Sequence, residues 1–195
     1  MTKGFTLIEV LIASSIFVGV LMIGTISFSS TSTKSEEVKH IQTTAQTARL
    51  IAEAISRDVR ASTGEKAPDG TYLQYPFTLF SNNQKVTSLV LGVASGDALE
   101  IARYDPTTQA IVTKKYAVTL NGNGEEIFSV SKNGGVAESL LPTGYSIQGV
   151  YFWAVTHELA ADRFYPFVKF SFAVVHNESG TSQRISSAVA TRELF

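Results

Sequence analysis

The sequence predicts an α+β protein, in which one long N-terminal helix packs by its second half on a mainly antiparallel β-sheet head. Three observations predict it. From Phe5 to Phe28 the chain is apolar and carries a single ionisable side chain, Glu9. As a helix rising roughly 1.5 Å per residue this stretch covers ~36 Å, enough for the core of a bilayer. Val38, Ile41, Ala45, Ala48, Ala52, Ile55 and Val59 then recur at alternating steps of three and four, the period of one helix face. Beyond Gly64, β-branched and aromatic residues dominate, cut at short intervals by turn-forming residues.

The apolar stretch reads as a membrane anchor. Lys3 is the only charge before it, so the positive-inside tendency places the four-residue leader in the cytoplasm and the rest outside. A removable signal peptide fits less well: its apolar region is roughly 7 to 15 residues long, and Glu9 would interrupt it. After a Ser/Thr cluster at Ser29 to Thr33 the helical stripe begins, with Glu53 four residues from both Arg49 and Arg57 on the outer surface. One helix is therefore expected from Phe5 to about Ser62. Gly19 and Gly24 are its weak points, each costing about 1 kcal/mol relative to Ala. Three alanines among the seven stripe positions make a shallow seam. That suits packing on a sheet of the same chain better than a coiled coil between chains. Arg57 and Arg60 read as solvated.

Glu9 is the residue that asks for an explanation. A carboxylate within lipid costs on the order of 3 kcal/mol at a helix centre and usually marks a partner. The segment Lys3-Gly4-Phe5-Thr6-Leu7-Ile8-Glu9-Val10 resembles the class III leader of type IV prepilins and type II secretion pseudopilins. The resemblance implies cleavage between Gly4 and Phe5 by a membrane-embedded prepilin peptidase, followed by N-methylation of Phe5. It assigns Glu9 to assembly, facing the amino terminus of a neighbouring subunit in the filament. It divides the chain into a leader (1–4), a transmembrane helix (5–28), its amphipathic continuation (29–62) and a β-rich head (63–195). The implied protein is a non-enzymatic minor pilin or pseudopilin without cofactor. It begins as a single-pass protein of the inner membrane with an extracytoplasmic head, and ends in a filament at the cell surface or in the periplasm. Its partners would be other pilins or pseudopilins, the peptidase, the inner-membrane assembly platform and the bilayer. The head is most similar to large minor pilins and J-type pseudopilins. This rests on the helix close Ile55-Ser56-Arg57-Asp58-Val59-Arg60-Ala61, the order of the late strands and the ending Ala188-Val189-Ala190-Thr191-Arg192. Many relatives carry a disulfide near the C-terminus, whereas this chain has no Cys. The alternative is a permanently anchored extracytoplasmic binding module, an adhesin or sensor head, in which Glu9 snorkels to the headgroups.

In the head the predicted strands are Tyr72 to Phe80, Val86 to Val93, Ala98 to Tyr104, Ala110 to Leu120, Glu126 to Val130, Ile147 to Val155, Phe167 to His176 and Arg184 to Arg192. Their separators include Ser81-Asn82-Asn83, Asn121-Gly122-Asn123-Gly124, Asn133-Gly134-Gly135 and Asn177-Glu178-Ser179-Gly180. Val168, Phe170, Phe172 and Val174 alternate with Lys169 and Ser171, the pattern of a half-buried antiparallel sheet that the helix would cover.

Nothing in the sequence points to chemistry or to nucleic acid. Sixteen Lys and Arg against 17 Asp and Glu make no strong field. His40, His157 and His176 have no second ligand three or four residues further on, so none makes a metal site by spacing. Glu36-Glu37 and Glu125-Glu126 read as solvated faces, and Asp97 and Asp105 lack the calcium-loop pattern, so no metal is expected. The aromatics Tyr151, Phe152, Trp153, Phe164, Tyr165 and Phe167 read mainly as packing, with the loop from His157 to Pro166 as a contact candidate.

Overall fold

The structure is a computed structural model that describes residues 6–63, 65–66, 72–74, 76–86, 93–105, 107–120, 126–155 and 167–191. The chain divides into two compact units, Met1–His40 and Ile41–Phe195, and a single helix, α1 (Leu7–Arg60), contributes to both. The predicted leader cleavage at Gly4 and Phe5 lies outside the described residues.

In the first unit α1 is exposed from Leu7 through Lys39. Leu7 is 83% exposed and Phe28 77%. An apolar helix that buries none of its side chains in its own chain is built for non-aqueous surroundings or for a partner. Several of its hydroxyls bond within the helix: Ser14 and Ser15 donate to the Leu11 carbonyl at 3.0 and 2.8 Å, and Thr25 donates to that of Leu21 at 2.8 Å. The Ser/Thr cluster does the same, with Thr31 and Thr33 bonding the carbonyls of Ser27 and Ser29. Gly19 and Gly24 have nothing within 4 Å of where a Cβ would stand, and the helix runs through both.

In the second unit the same helix becomes amphipathic. Thr44, Thr47, Ala48, Ile51, Ile55, Asp58 and Val59 are buried. This face is turned relative to the predicted stripe. Val38 and Ile41 are 51% and 45% exposed, and Ala45 and Ala52 are half-buried while Thr44 and Ile51 are covered. A search for apolar residues passes over Thr44, and that shifts the inferred stripe round by one position. Ala48, Ile51, Ile55 and Val59 share one core with strand residues of their own chain, which is the intrachain packing expected of a small-residue seam.

Among the described residues every strand pairing is antiparallel, giving an α+β class, but the strands form three sheets where one was expected. Strands β1 (Glu65–Lys66) and β2 (Tyr72–Gln74) make a two-stranded ribbon. The largest sheet joins β3 (Phe77–Ser81), β4 (Gln84–Lys85), β6 (Ala98–Asp105), β7 (Ala110–Leu120), β8 (Glu126–Lys132) and β9 (Glu138–Ser139) in the order β4-β3-β6-β7-β8-β9. The third joins β5 (Val93–Gly96), β10 (Tyr145–Val155), β11 (Phe167–His176) and β12 (Ser182–Ala190) in the order β12-β11-β10-β5. Of the predicted strand Val86 to Val93, residues 87–92 lie outside the described set, and the strand that is seen starts at Val93. Pro76 separates β2 from β3 within the predicted strand Tyr72 to Phe80, since it has no N–H to give a ladder.

Turn chemistry fixes the hairpins. Asn82 and Asn83 take φ of 50° and 60°, and Asn133 and Gly134 take 52° and 68°, the paired left-handed conformation of a tight hairpin turn. A bulge sits in β10, where Gln148 pairs with Ala173 but Tyr151 with Ser171, and Gly149 there has φ 59°. The extra residue flips the inward set from Ile147 to Phe152 and Ala154, all buried, and leaves Tyr151 49% exposed. Trp153 instead packs against Phe167, ring centroids 5.4 Å apart. Phe128, Phe170 and Phe172 are fully buried and stack in a row with centroid spacings of 6.1 Å. Each such side chain contributes on the order of 1.5–3 kcal/mol by burial. The largest sheet meets the four-stranded one at Gly96, where a Cβ would collide with the Phe80 carbonyl oxygen, and the Asp97 N–H donates to that same oxygen at 2.9 Å.

Candidate functional site

Two places combine charge with unusual surroundings, one in each unit. The first is the start of α1. Thr6 caps the helix: its carbonyl accepts from the Glu9 N–H at 3.1 Å, and its Oγ1 stands 3.4 Å from the same nitrogen. Thr6-Leu7-Ile8-Glu9 thus has the form of a capping box, in which a Glu at the third helical position also complements the positive end of the helix dipole. Glu9 is exposed, in the first turn of a helix whose neighbouring side chains are exposed and apolar. α1 is long and apolar enough to cross a membrane, a test that an N-terminal signal sequence also meets.

The second place is the end of α1. Asp58 is 7% exposed, although it stands between Arg57 and Arg60, which read as solvated. Its Oδ2 accepts two bonds from β7, from the Tyr116 hydroxyl at 2.6 Å and from Lys114 Nζ at 2.8 Å. A buried carboxylate is tolerable only when paired and hydrogen-bonded, and here one neutral and one cationic donor share the task. Burial, then the bond to Asp58, pushes the Tyr116 hydroxyl far above its ordinary pKa. Just beyond, the chain is held on β6: Thr63 N–H donates to the Ala102 carbonyl at 3.0 Å, and Tyr104 N–H donates to Thr63 Oγ1 at 2.7 Å. Arg57 and Arg60 are exposed, as expected. Asp58 and Thr63 therefore clamp the helix end to the largest sheet.

Next to this clamp lies a cavity of about 290 Å³ lined by Asp58, Ile101, Arg103, Asp105, Val112, Lys114 and Lys132. Asp105 accepts the Thr107 N–H at 2.9 Å, and that bond holds its carboxyl below the usual range. On another part of the large sheet Lys115 donates to Asn83 Oδ1 at 2.8 Å and lies 4.1 Å over the Phe80 ring. Asp97 accepts the Asn82 N–H at 3.0 Å, so it serves a turn.

His40 is on α1, His157 lies outside the described residues, and His176 is buried in the β11–β12 hairpin with its Nδ1 2.9 Å from Ser179 Oγ. Glu36 and Glu37 are exposed on α1, and Glu126 is exposed at the start of β8. Among the described residues no group of three or more His, Cys, Asp or Glu could hold a metal ion. The loop from His157 to Pro166, with Phe164 and Tyr165, lies outside the described residues. No family model matches the chain, and no curated protein or solved structure matches it.

Proposed function

We propose that this chain is a structural subunit of a type IV pilus-like filament, a minor pilin or pseudopilin, trimmed between Gly4 and Phe5 and N-methylated at Phe5. It begins as a single-pass inner-membrane protein and serves pilus assembly, adhesion, DNA uptake or secretion. The observation that carries the reading is the isolated Glu9 on the first turn of an exposed apolar helix, directly after a Gly-Phe junction. After cleavage Phe5 would carry a cationic amine one helical turn from Glu9, so pairing of the two across subunits would offset the desolvation of both charges. The head, clamped to the end of the same helix by Asp58, would choose the neighbours. The test is the intact mass of the N-terminal peptide from membranes with and without prepilin peptidase. Loss of Met1 to Gly4 with one methyl on Phe5, only when the peptidase is present, is expected. An unprocessed terminus in both would end the proposal.

One observation favours a second reading, a permanently anchored binding module. Thr6 followed three residues on by Glu9 is a capping-box sequence, which suits the start of a helix with or without a filament. Glu9→Gln separates the two, because glutamine keeps the capping-box geometry and loses the charge. The filament reading expects the variant to fold and reach the membrane but fail to incorporate. Incorporation at the normal level would leave the cap as the sole role of Glu9.

A further inference from the structure

The cavity beside the helix clamp holds more positive charge than the fold uses. Lys114 on β7 and Lys132 on β8 stand directly opposite each other across the strand pair, and both line the cavity together with Arg103 from β6. Like charges directly opposite on a sheet are destabilising. Lys114 is neutralised by Asp58 at 2.8 Å. Asp105, the other carboxylate in the lining, is engaged by the Thr107 N–H. Among the described residues Arg103 and Lys132 enter no ion pair.

We propose that this cavity binds a carboxylate side chain, Asp or Glu, of an acidic peptide segment on a partner protein. Size and charge choose the ligand. A volume of about 290 Å³ is at the small end of ligand pockets and takes a side chain rather than a cofactor. Three cations against two carboxylates leave the described lining with a surplus of one positive charge. That surplus matches a monoanion, whereas a phosphate dianion would leave the described lining with net negative charge. Arg103 offers a planar fork suited to a carboxylate and Lys132 a point charge beside it. Ile101 and Val112, on the same face, supply an apolar wall for the methylenes. The proposal stands whether or not the chain joins a filament.

The test is a ¹H–¹⁵N NMR titration of the full chain in nonionic micelles with the probe peptide acetyl-Gly-Glu-Gly-amide. Acetyl-Gly-Gln-Gly-amide and inorganic phosphate are run in parallel. The Glu peptide is expected to shift the amides of Arg103, Val112 and Lys132, the Gln peptide to leave them unmoved, and phosphate to bind more weakly. Arg103→Gln and Lys132→Gln should each weaken the Glu peptide about tenfold without lowering the urea midpoint of the head. Equal shifts from the Gln peptide, tighter binding of phosphate, no shift at all, or loss of head stability in Lys132→Gln would each overturn the proposal. The last result would mean that the cations serve the fold.

Discussion

The two stretches of α1 invert the usual relation between apolarity and burial. Residues 7–28 are the most continuously apolar part of the chain, and none is buried; residues 41–60 carry Arg49, Glu53, Arg57, Asp58 and Arg60, and seven side chains of this helix are buried there. Intrinsic helical propensity favours the second stretch, which is rich in Ala, Arg and Gln, over the first with its β-branched residues and two glycines, and the source of stabilisation differs as well. The second stretch is held by its own chain, through a face of small and branched side chains and one paired carboxylate. The first has only backbone bonds and its own hydroxyl contacts, so its free energy is set by whatever surrounds it.

The sharpest way to break this contrast is Asp58→Ala. It leaves the buried Tyr116 hydroxyl without its acceptor, while Lys114, its side chain 41% exposed, can turn to water, and a loss of about 2–3 kcal/mol in head stability is expected. The reading is urea unfolding in micelles followed by the near-ultraviolet signal of Trp153. A loss below about 1 kcal/mol would mean that the clamp is ornamental and that apolar packing alone docks the helix end.

Tyr116→Phe removes one donor and spares the ion pair, for an expected cost of about 1–2 kcal/mol at neutral pH. It also has a pH signature. Tyr116 is raised above its ordinary value of 10.0 in the folded state. Its stabilisation is therefore complete below pH 10 and lost as pH climbs toward the folded value, because the unfolded chain releases the proton first. Wild type and variant should converge above pH 10 in alkaline denaturation. Parallel curves would show that the hydroxyl is not held neutral by its surroundings.

The smallest effect is expected from Leu21→Ala, which should leave head stability within about 0.5 kcal/mol. A larger drop in the same urea experiment would mean that the apolar stretch supports the head and that the two regions are not independent.

Much of this was legible in the sequence because it is local. The helix, the turns at Asn82-Asn83 and Asn133-Gly134, and the alternation Val168-Phe170-Phe172-Val174 each follow from a few neighbouring residues. Asp58 was not legible as a buried group. Its partners lie 56 and 58 positions away, and an acid between two arginines reads as solvated. Thr44 was passed over because burial of a hydroxyl depends on a partner that the period does not reveal. The bulge did leave a signal, the lone Gly149 inside a strand pattern. The division of strands among separate sheets left none, since β5 and β10 find each other only through tertiary packing. At the candidate sites, Glu9 stood out by its isolation, while the cavity beside Asp58 needed strand register to bring Arg103, Lys114 and Lys132 together.

The hydroxyls of Ser14, Ser15 and Thr25 close on carbonyls of their own helix, and this has a kinetic consequence. Moving such a helix from one apolar environment to another exchanges no partner for any of these three groups. Within residues 7–28 the one charge that would resist such a displacement is Glu9. Such a helix would travel along its axis smoothly, with a single electrostatic detent to mark where it should stop.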